Sequence, residues 1–375
     1  MGRDEANTIA APAGQPRILA FATQGPGGLD EARLRALLER LPARVLPMAR
    51  GGGRLAAWMG LMEVLSAERP DLVVMEGTGL AGGLAVLALR MRGTRYVVST
   101  GDAVGPWVGQ RHAALGPLFG LYERLLCRFS EGCVGWTPYL AGRALAFGAP
   151  RAMTAPGWAE AAVPPSQRSE VRRALRARVG IPEDALVVGL AGSLAWNRRR
   201  RSCYGLELVR ALNRAKREDL HVLVVGDGEG RPRLEAEVAP DKRARLHLAG
   251  RVPREEVARW LCALDVASLP QSVDGVGSYR FTTKLPEYQA AGLPIVTGRL
   301  PVAYDVPGAW VRLPGSAPWD ERHLSALAGW LDGLGAGELA ALRERAAALA
   351  GTFSREAQVE AVTAFMLDIL ADGAA

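Results

Sequence analysis

Residues 265–294 read DVASLPQSVDGVGSYRFTTKLPEYQAAGLP, and this stretch joins a strand, a polar loop and a short helix. The apolar run Asp265–Leu269 predicts the strand, and a Gly-Leu-Pro sequence closes the helix. The cations Arg280 and Lys284 and the acid Glu287 gather around the start of that helix. This order predicts one unit of a parallel α/β sheet with a polar site at its edge.

The residue types in this stretch suit a sugar diphosphate. Unpaired N–H groups at a helix start carry partial positive charge, and Arg280 and Lys284 would neutralise phosphate oxygens. Glu287, one turn into the helix, would accept hydrogen bonds from a ribose diol. A solvated helix face would show the same residue types, so a purely structural role for Glu287 stays open at this point.

Composition sets the class of protein. The 375 residues, 49% of them hydrophobic, suit two domains, and the net charge of +7 implies an acidic partner such as phosphate, anionic lipid or nucleic acid. Four cysteines without CxxC spacing and four histidines without an HxxxH pair argue against structural zinc and disulfides, which favours the cytoplasm. No known nucleic-acid module matches, so we expect no nucleic-acid partner. The longest apolar run, Leu80–Leu89, is about half of a bilayer span, so the chain is expected to be soluble or peripheral.

Strand-like runs alternate with helical patterns through both halves of the chain. The alternation predicts an α/β protein with two Rossmann-like, doubly wound domains that face a cleft. We expect a flexible leader at residues 1–16, a first domain at 17–157, a proline- and arginine-containing linker at 158–184, and a second domain at 185–351.

Three loops follow predicted strands and precede helices. Gln24–Gly28 contains Gly27 and Gly28, whose lack of side chains would let the backbone approach a ligand, although a tight turn without a ligand gives the same sequence. Gly192–Arg201 reads GSLAWNRRRR, in which a solvated charge run competes with an anion site at Arg198. Gly226–Gly230 reads GDGEG, but Arg231 replaces the third glycine of the dinucleotide fingerprint, so an NAD site is disfavoured.

The second half resembles the donor-binding domain of retaining GT-B glycosyltransferases, the large group called glycosyltransferase family four. The resemblance rests on motifs in a fixed order over the second half of the chain, whereas the first half fits by pattern only. The motifs are GSLAWNR, LHVLVVGDGEGRPRLE, LHLAGRVPREEVARWLCALDVASLP, TTKLPEYQAAGLPIVTG and FSREAQVEAVTAF.

The resemblance implies roles for individual residues. Glu287 matches the glutamate that binds the nucleotide ribose, and Arg198 lies where a cation meets the diphosphate. The remaining donor-side positions are Gly27, Gly28, Gly192, Ser193, Gly226, Gly228, Arg280, Thr283, Lys284 and Leu285. Residues 352–375 resemble a helix that returns to the first domain.

The chain also departs from the family pattern. Tyr279 stands where a second glutamate is usual, and Ser193 replaces a basic residue. A histidine common near the reaction centre has no counterpart, although Asp102 in STGDAVG lies at a predicted strand end. The sugar-side contacts are therefore unassigned by the resemblance.

The implied activity is metal-free, cofactor-free transfer of a hexosyl group, with retention, from a nucleotide-diphosphate sugar to a hydroxyl. Arg198, Lys284 and Glu287 would position the donor and stabilise the leaving diphosphate. The implied setting is synthesis of cell-surface polysaccharide or glycolipid. A catalytically silent homologue or partner subunit that binds nucleotide sugar, and a nucleotide-sugar epimerase of the same architecture, remain alternatives.

Aromatic and basic residues between positions 107 and 129 bear on the acceptor, which would be a saccharide or a lipid-linked hydroxyl. They suggest peripheral contact with an anionic membrane at its inner face. Part of the same segment keeps helical spacing, which is more typical of a buried core stripe. The first set comprises Trp107, Arg111, Phe119, Tyr122, Arg124, Arg128 and Phe129, and the second comprises Leu118, Tyr122, Leu125, Leu126 and Phe129.

Overall fold

The computed structural model describes residues 16–48 and 53–372. The leader expected at residues 1–16 therefore lies outside the described residues, except for Pro16. The chain divides into two compact units, one of residues 1–156 with 355–375 and the other of residues 157–354. No helix within the described ranges is long and apolar enough to cross a bilayer.

The first unit alternates strands and helices from the start of its described part. In chain order its elements are β1 (Ile18–Ala22), α1 (Leu29–Leu37), β2 (Ala43–Leu46), α2 (Gly53–Glu68), β3 (Leu72–Glu76), α3 (Leu80–Arg90), β4 (Tyr96–Thr100), α4 (Val104–Gly109), α5 (Gly116–Phe129), β5 (Gly132–Gly135), α6 (Pro138–Ala146) and β6 (Ala152–Thr154).

The strands of the first unit form one parallel sheet in the order β2-β1-β3-β4-β5-β6, as far as the described ranges show it. All five residues of β1 are buried, which is typical of a parallel sheet covered on both faces. The chain leaves β1 towards β2 on one side and returns as β3 on the other, so the winding reverses between β1 and β3.

The second unit continues the same alternation, and the last helix of the chain belongs to the first unit. The elements are α7 (Pro165–Val179), β7 (Leu186–Ala191), α8 (Leu206–Arg214), β8 (Leu220–Val225), α9 (Arg231–Glu237), β9 (Leu246–Gly250), α10 (Val257–Leu261), β10 (Val266–Leu269), α11 (Lys284–Ala290), β11 (Ile295–Thr297), α12 (Val302–Asp305), β12 (Trp310–Arg312), α13 (Glu321–Gly333), α14 (Ala336–Ala348) and α15 (Arg355–Asp372).

The second sheet is also parallel, in the order β12-β11-β10-β7-β8-β9 within the part of the chain that the structure describes. Its winding reverses between β7 and β10. Glu207 of α8 packs at β10, where it is 3% exposed and accepts a hydrogen bond of 3.0 Å from the hydroxyl of Ser268. Burial raises the pKa of Glu207 to about 7. The two Rossmann-like sheets predicted from the alternation are confirmed.

The segment 158–184, for which the sequence predicts a linker, is built into the second unit. Its helix α7 places Arg176, with 1% of its surface exposed, against Asp265 at 2.8 Å and against the carbonyl oxygens of Ala185 and Ala263. A buried guanidinium needs such partners because an unpaired buried charge is costly. These bonds hold α7 against Asp265, the residue before β10. The segment is therefore packed as part of the second unit.

The final helix α15 packs on α1 of the first unit. Its buried residues Val359, Val362, Met366 and Ile369 recur at the spacing of one helix face. An ion pair of 2.8 Å between Glu356 and Arg40 of the first unit adds to this apolar contact. The helix of residues 355–372 thus returns to the unit that contains β1.

Candidate functional site

The loops that follow β7 and β10 lie at the point where the winding of the second sheet reverses. In doubly wound sheets the crevice outside the carboxyl ends of such neighbouring strands is the usual ligand site. The loop after β7 begins at Gly192, and the loop after β10 leads to α11, which carries Lys284 and Glu287. The fold therefore brings the motifs of the second half of the chain to one edge of the second sheet.

Backbone contacts interlock the loops that follow β7 and β8. The N–H of Gly192 donates to the carbonyl of Val225 at 2.8 Å, and the N–H of Leu194 donates to the carbonyl of Asp227 at 3.0 Å. A Cβ at Gly226, whose φ is +142°, would lie 1.9 Å from the carbonyl oxygen of Gly192. The structure thus requires glycine at this position for close backbone approach.

Gly228 has the same role one step further along the loop. Its φ is +155°, and a Cβ there would lie 2.7 Å from the carbonyl carbon of Leu194. The N–H of Gly230 donates to the carbonyl oxygen of Leu194 at 2.8 Å. The predicted glycine positions Gly192, Gly226 and Gly228 are therefore brought together, and they form a main-chain frame.

Lys284 lies against this frame. A Cβ at Gly192 would be 2.7 Å from Cε and 2.9 Å from Nζ of Lys284, so the missing side chain leaves room for the lysine. The ammonium group also lies 4.4 Å from the ring centroid of Tyr204, a cation–π contact. The structure therefore places a half-buried cation beside the loop after β7.

Glu287 of α11 lines a cavity of about 270 Å³. The cavity is also lined by Thr283, the residue before α11, by Arg254, and by Trp158 and Glu160 at the start of the second unit. Arg254 and Glu160 form an ion pair of 2.8 Å in which both side chains are about half exposed. The cavity combines the aromatic ring of Trp158 with three carboxylates and one cation, which suits hydroxyl groups and a polar ring.

Burial raises the pKa of Glu287, and the cations Lys284 and Arg254 offset part of that effect. A partly desolvated carboxylate accepts strong hydrogen bonds because little water competes for it. Among the carboxylates that line the cavity, Glu287 is thus best suited to bind a ligand diol.

The arginine-rich loop divides into exposed and engaged side chains. Arg198, predicted to meet a diphosphate, is exposed, and so are Ser193 and Arg280. Arg200, which the sequence did not single out, pairs with Asp274 at 3.3 Å and lies 4.9 Å from the ring centroid of Trp319. Arg200 thereby ties the loop after β7 to the loop after β10.

Several hydrogen bonds fix the carboxylate of Asp274, the partner of Arg200. Burial alone would raise its pKa, but hydrogen bonds from the N–H of Gly277, the hydroxyl of Ser272 and the N–H of Val276 outweigh burial, and the pKa of Asp274 is lowered. The charged Asp274 organises residues 272–277 into a tight turn. The only sequence signal was an Asp-Gly pair in a loop.

Gln271 is a second residue that the sequence did not reveal. It lies two residues beyond the end of β10 and is 7% exposed, and neither its amide oxygen nor its amide nitrogen has a hydrogen-bond partner among the described residues. A buried primary amide without partners is costly, by about 1–3 kcal/mol for each group. Nearby, Tyr279 is half-buried, Thr283 is exposed and Leu285 is buried in the core.

The predicted residues of the first unit lie at the corresponding edge of the first sheet. The N–H of Gly27, at φ +73°, donates to the carboxylate of Glu31 at 2.6 Å, and Gly28 precedes α1 as its amino-terminal cap. Asp102 follows β4, and its N–H donates to the hydroxyl of Thr100 at 3.3 Å. Within the loop the Gly27 amide is already bonded, whereas the half-buried Asp102 lies at the strand end that the sequence indicated.

A buried ion pair lies at the same edge of the first sheet, and the sequence did not indicate it. Arg33 of α1 donates to Glu76, the last residue of β3, at 2.6 Å, and the indole N–H of Trp136 donates to the other carboxylate oxygen at 3.1 Å. Burial raises the pKa of Glu76, and Arg33 opposes that effect. The pair fixes the strand ends around which Thr23, Gly77 and Gly79 pack.

Comparison with known families gives two matches. A family described as "Glycosyl transferase 4-like domain" matches residues 6–157, and one described as "Glycosyl transferases group 1" matches residues 185–312. A comparison with curated protein sequences finds no significant match. The two matched regions together cover most of the chain and fall on the two units separately.

Solved structures with the same fold cover nearly the whole chain. Anabaena HepE in complex with UDP has a TM-score of 0.68 and 17% identity, with 94% of this chain and 100% of that chain covered. The complex of HepE with UDP-glucose has a TM-score of 0.66 and 16% identity, with coverages of 94% and 100%. Sucrose-phosphate synthase from Thermosynechococcus elongatus has a TM-score of 0.67 and 16% identity, with coverages of 96% and 100%. Identities this low show the fold alone.

These matches confirm the resemblance to GT-B glycosyltransferases, whereas retention of configuration stays a prediction. Each sheet lies wholly within one of the two matched regions, and helices α13 and α14 of the second unit lie beyond residue 312. The chain belongs to the GT-B glycosyltransferases, with a glycosyl transferase 4-like domain followed by a glycosyl transferases group 1 domain.

Proposed function

We propose that this glycosyltransferase takes a sugar, of the hexose type, from a nucleotide-diphosphate sugar and attaches it to a hydroxyl with retention of configuration. One observation carries the proposal. Glu287 lines a cavity one helical turn from Lys284, and Lys284 lies in the space that Gly192 leaves open. The complexes of HepE with UDP and UDP-glucose, which share the fold, support a nucleotide-sugar donor.

The donor-side roles follow from charge and burial. Glu287 accepts hydrogen bonds from the ribose diol, since it is a partly desolvated acceptor in a cavity of suitable size. Lys284 and Arg198 neutralise the diphosphate, while the frame around Gly226 and Gly228 supports the nucleotide. Ser193, Arg280, Thr283 and Leu285 complete the surroundings of the donor in this proposal.

The reaction is assigned to direct transfer on one face of the sugar. The bond between the anomeric carbon and the diphosphate oxygen breaks, and the acceptor oxygen forms its bond to the same face. The acceptor proton passes to the departing diphosphate oxygen. The protein supplies positioning and cations that stabilise the leaving charge, and Asp102 is the group assigned to the reaction centre on the first unit. No metal or organic cofactor enters this scheme.

The acceptor is assigned to a saccharide or lipid-linked hydroxyl used in the synthesis of cell-surface polysaccharide or glycolipid. The positive net charge of the chain supports a setting in the cytoplasm at the inner face of an anionic membrane. We assign no nucleic-acid partner.

The decisive experiment is a panel of UDP-, GDP-, ADP- and dTDP-sugars tested for thermal stabilisation and slow hydrolysis. One donor should raise the melting temperature and be hydrolysed. Glu287→Gln should lose that stabilisation, whereas Glu160→Gln, which alters the exposed carboxylate of the same cavity, should keep most of it. Binding without any turnover would favour a silent homologue, conversion of the donor to an epimer would favour an epimerase, and no binding by any donor would refute the proposal.

A further inference from the structure

Exposed large hydrophobic side chains are distributed unevenly between the two units. Within the described ranges all of them except Tyr304 belong to the first unit, and most lie between residues 55 and 129. Isolated exposed apolar side chains are ordinary, but a concentration on neighbouring helices marks an interaction surface. This concentration includes the segment in which the sequence left a membrane surface and a core stripe as alternatives.

In the structure, some residues of that segment are buried in the core and others are exposed to solvent. Tyr122 and Leu126 of α5 are 8% and 1% exposed and belong to the core, whereas Leu118 and Leu121 are 60% and 54% exposed. The hydroxyl of Tyr122 donates to the carbonyl of Gly79, which fixes the inner face of α5 on α3. The outer face of α5 therefore presents leucines to solvent.

Helices α4 and α5 form a tight hairpin, here called the docking hairpin (residues 104–129). A Cβ at Gly105 would lie 2.9 Å from Cα of Gly120, and a Cβ at Gly116 would lie 3.1 Å from Cα of Gly109. The two backbones thus touch through glycines. Trp107 and Leu115, on the same hairpin as Leu118 and Leu121, remain 39% and 41% exposed.

All solvent-exposed charged side chains of the docking hairpin are positive. Its single acid, Glu123, is 5% exposed, and Arg143 donates to it at 2.8 Å. Arg111, Arg124 and Arg128 are exposed, and Arg111 lies 4.0 Å from the ring centroid of Trp107. Apolar side chains surrounded by arginines match the acyl boundary and the phosphates of anionic lipid.

We propose that the docking hairpin binds the surface of an anionic bilayer, with Leu118 and Leu121 entering the acyl boundary and Arg124 and Arg128 meeting lipid phosphates. A second copy of the chain is a poorer partner, because a two-fold contact would bring the same arginines face to face. The inference builds on the proposed setting at a membrane, and it uses no residue of the proposed donor site.

The test is co-sedimentation of the full chain with sucrose-loaded vesicles of phosphatidylcholine, with and without phosphatidylglycerol, at low and high salt. The protein should pellet with the anionic vesicles at low salt and stay largely in solution with phosphatidylcholine alone. Leu118→Glu/Leu121→Glu should weaken partitioning by roughly tenfold or more. Arg124→Gln/Arg128→Gln should weaken it by about fivefold for each arginine removed.

Leu367→Glu is the matched control, since Leu367 on α15 is 50% exposed and lies outside the hairpin. It should pellet like the unaltered protein. Melting temperature and nucleoside diphosphate binding, measured on every variant, separate a folding defect or a failed donor site from loss of lipid binding. The proposal is overturned if the unaltered protein stays in solution with anionic vesicles at low salt or if Leu367→Glu loses as much binding. It is equally overturned if the leucine variant only converts a dimer to a monomer.

Discussion

Gly192 and Lys284 share one small space, because a Cβ on Gly192 would lie 2.7 Å from Cε of Lys284. The glycine belongs to the loop after β7 and the lysine to the first position of α11, so two distant parts of the sequence define one cation position. The position of the ammonium group therefore depends on an absent side chain as much as on Tyr204, whose ring it contacts.

Gly192→Ala should displace the lysine without unfolding the domain. The added methyl group meets the flexible end of Lys284, which can move away at little cost, so we expect the free energy of unfolding to change by less than about 0.5 kcal/mol. The moved ammonium group should weaken nucleoside diphosphate binding by about tenfold. Calorimetric titration measures the affinity. Gly329→Ala, on α13 with nothing near the added Cβ, is the control and should bind normally.

Turnover should depend on the acid and the arginine assigned to the donor. Glu287→Ala and Arg198→Ala should each lower kcat by at least about tenfold, which corresponds to about 1.4 kcal/mol of transition-state stabilisation. Steady-state kinetics with the identified donor measures the loss. Arg199→Ala, which alters the next exposed arginine of the loop, should retain most activity. Near-normal kcat in both folded site variants would remove them from the site.

Gln271→Met should make the free protein more stable and the donor site less selective. The substitution removes a buried amide that has no partner among the described residues and keeps a similar volume, so the free energy of unfolding should rise by about 1 kcal/mol. If the amide binds sugar hydroxyls in place of the acid absent at Tyr279, the sugar nucleotide will bind more weakly while the bare nucleoside diphosphate binds unchanged. Equal weakening of both ligands would contradict the sugar contact.

Stability should fall in acid through a histidine pair remote from the donor loops. Nδ1 of His221 lies 2.9 Å from Nε2 of His247, and Nδ1 of His247 faces the carbonyl of Val179 at 3.0 Å. Burial lowers the pKa of both rings, and for His221 the neighbouring His247, Arg245 and Arg176 lower it further, against Asp219.

The unfolded chain therefore binds more protons than the folded chain once the pH falls below about 6.5, so stability is lost as the pH decreases through that region. Urea unfolding at about pH 7.5 and 5.5 measures the loss. His221→Gln/His247→Gln should flatten the dependence, whereas His112→Gln, at an exposed position, should leave it intact. An unchanged slope in the double variant would assign the effect to other groups, such as the buried His323.

Elements with a clear hydrophobic period could be predicted closely from the sequence. The helical pattern of residues 53–68 and the strand-like run of residues 132–135 in the sequence coincide with α2 and β5. The strands β11 and β12 were not predicted, because three residues are too few to show a period, and they become strands by pairing beside β10. At Pro165 the sequence indicated a break, whereas the structure begins α7 there, a position that tolerates proline.

The positions of candidate site residues in the fold were predictable where one motif supplies both the residue and its place. Lys284 and Glu287 share α11, and the glycines at 192, 226 and 228 each follow a strand. Arg200 with Asp274, and Gln271 with its buried amide, depend on contacts between segments far apart in the chain. No local pattern shows which of four consecutive arginines turns inward, so these residues required the structure.

In the glycine frame, the backbone bonds that hold the loops together are separate from the side chains that the loops expose. Its loops are joined by backbone N–H groups of Gly192 and Leu194 and carbonyl groups of Val225 and Asp227, which every amino acid except proline can supply. The outward side chains of Ser193 and Glu229 are exposed and are not part of these backbone bonds. A change of preferred nucleotide can therefore arise from substitution of exposed loop residues, while the backbone that carries them keeps its conformation.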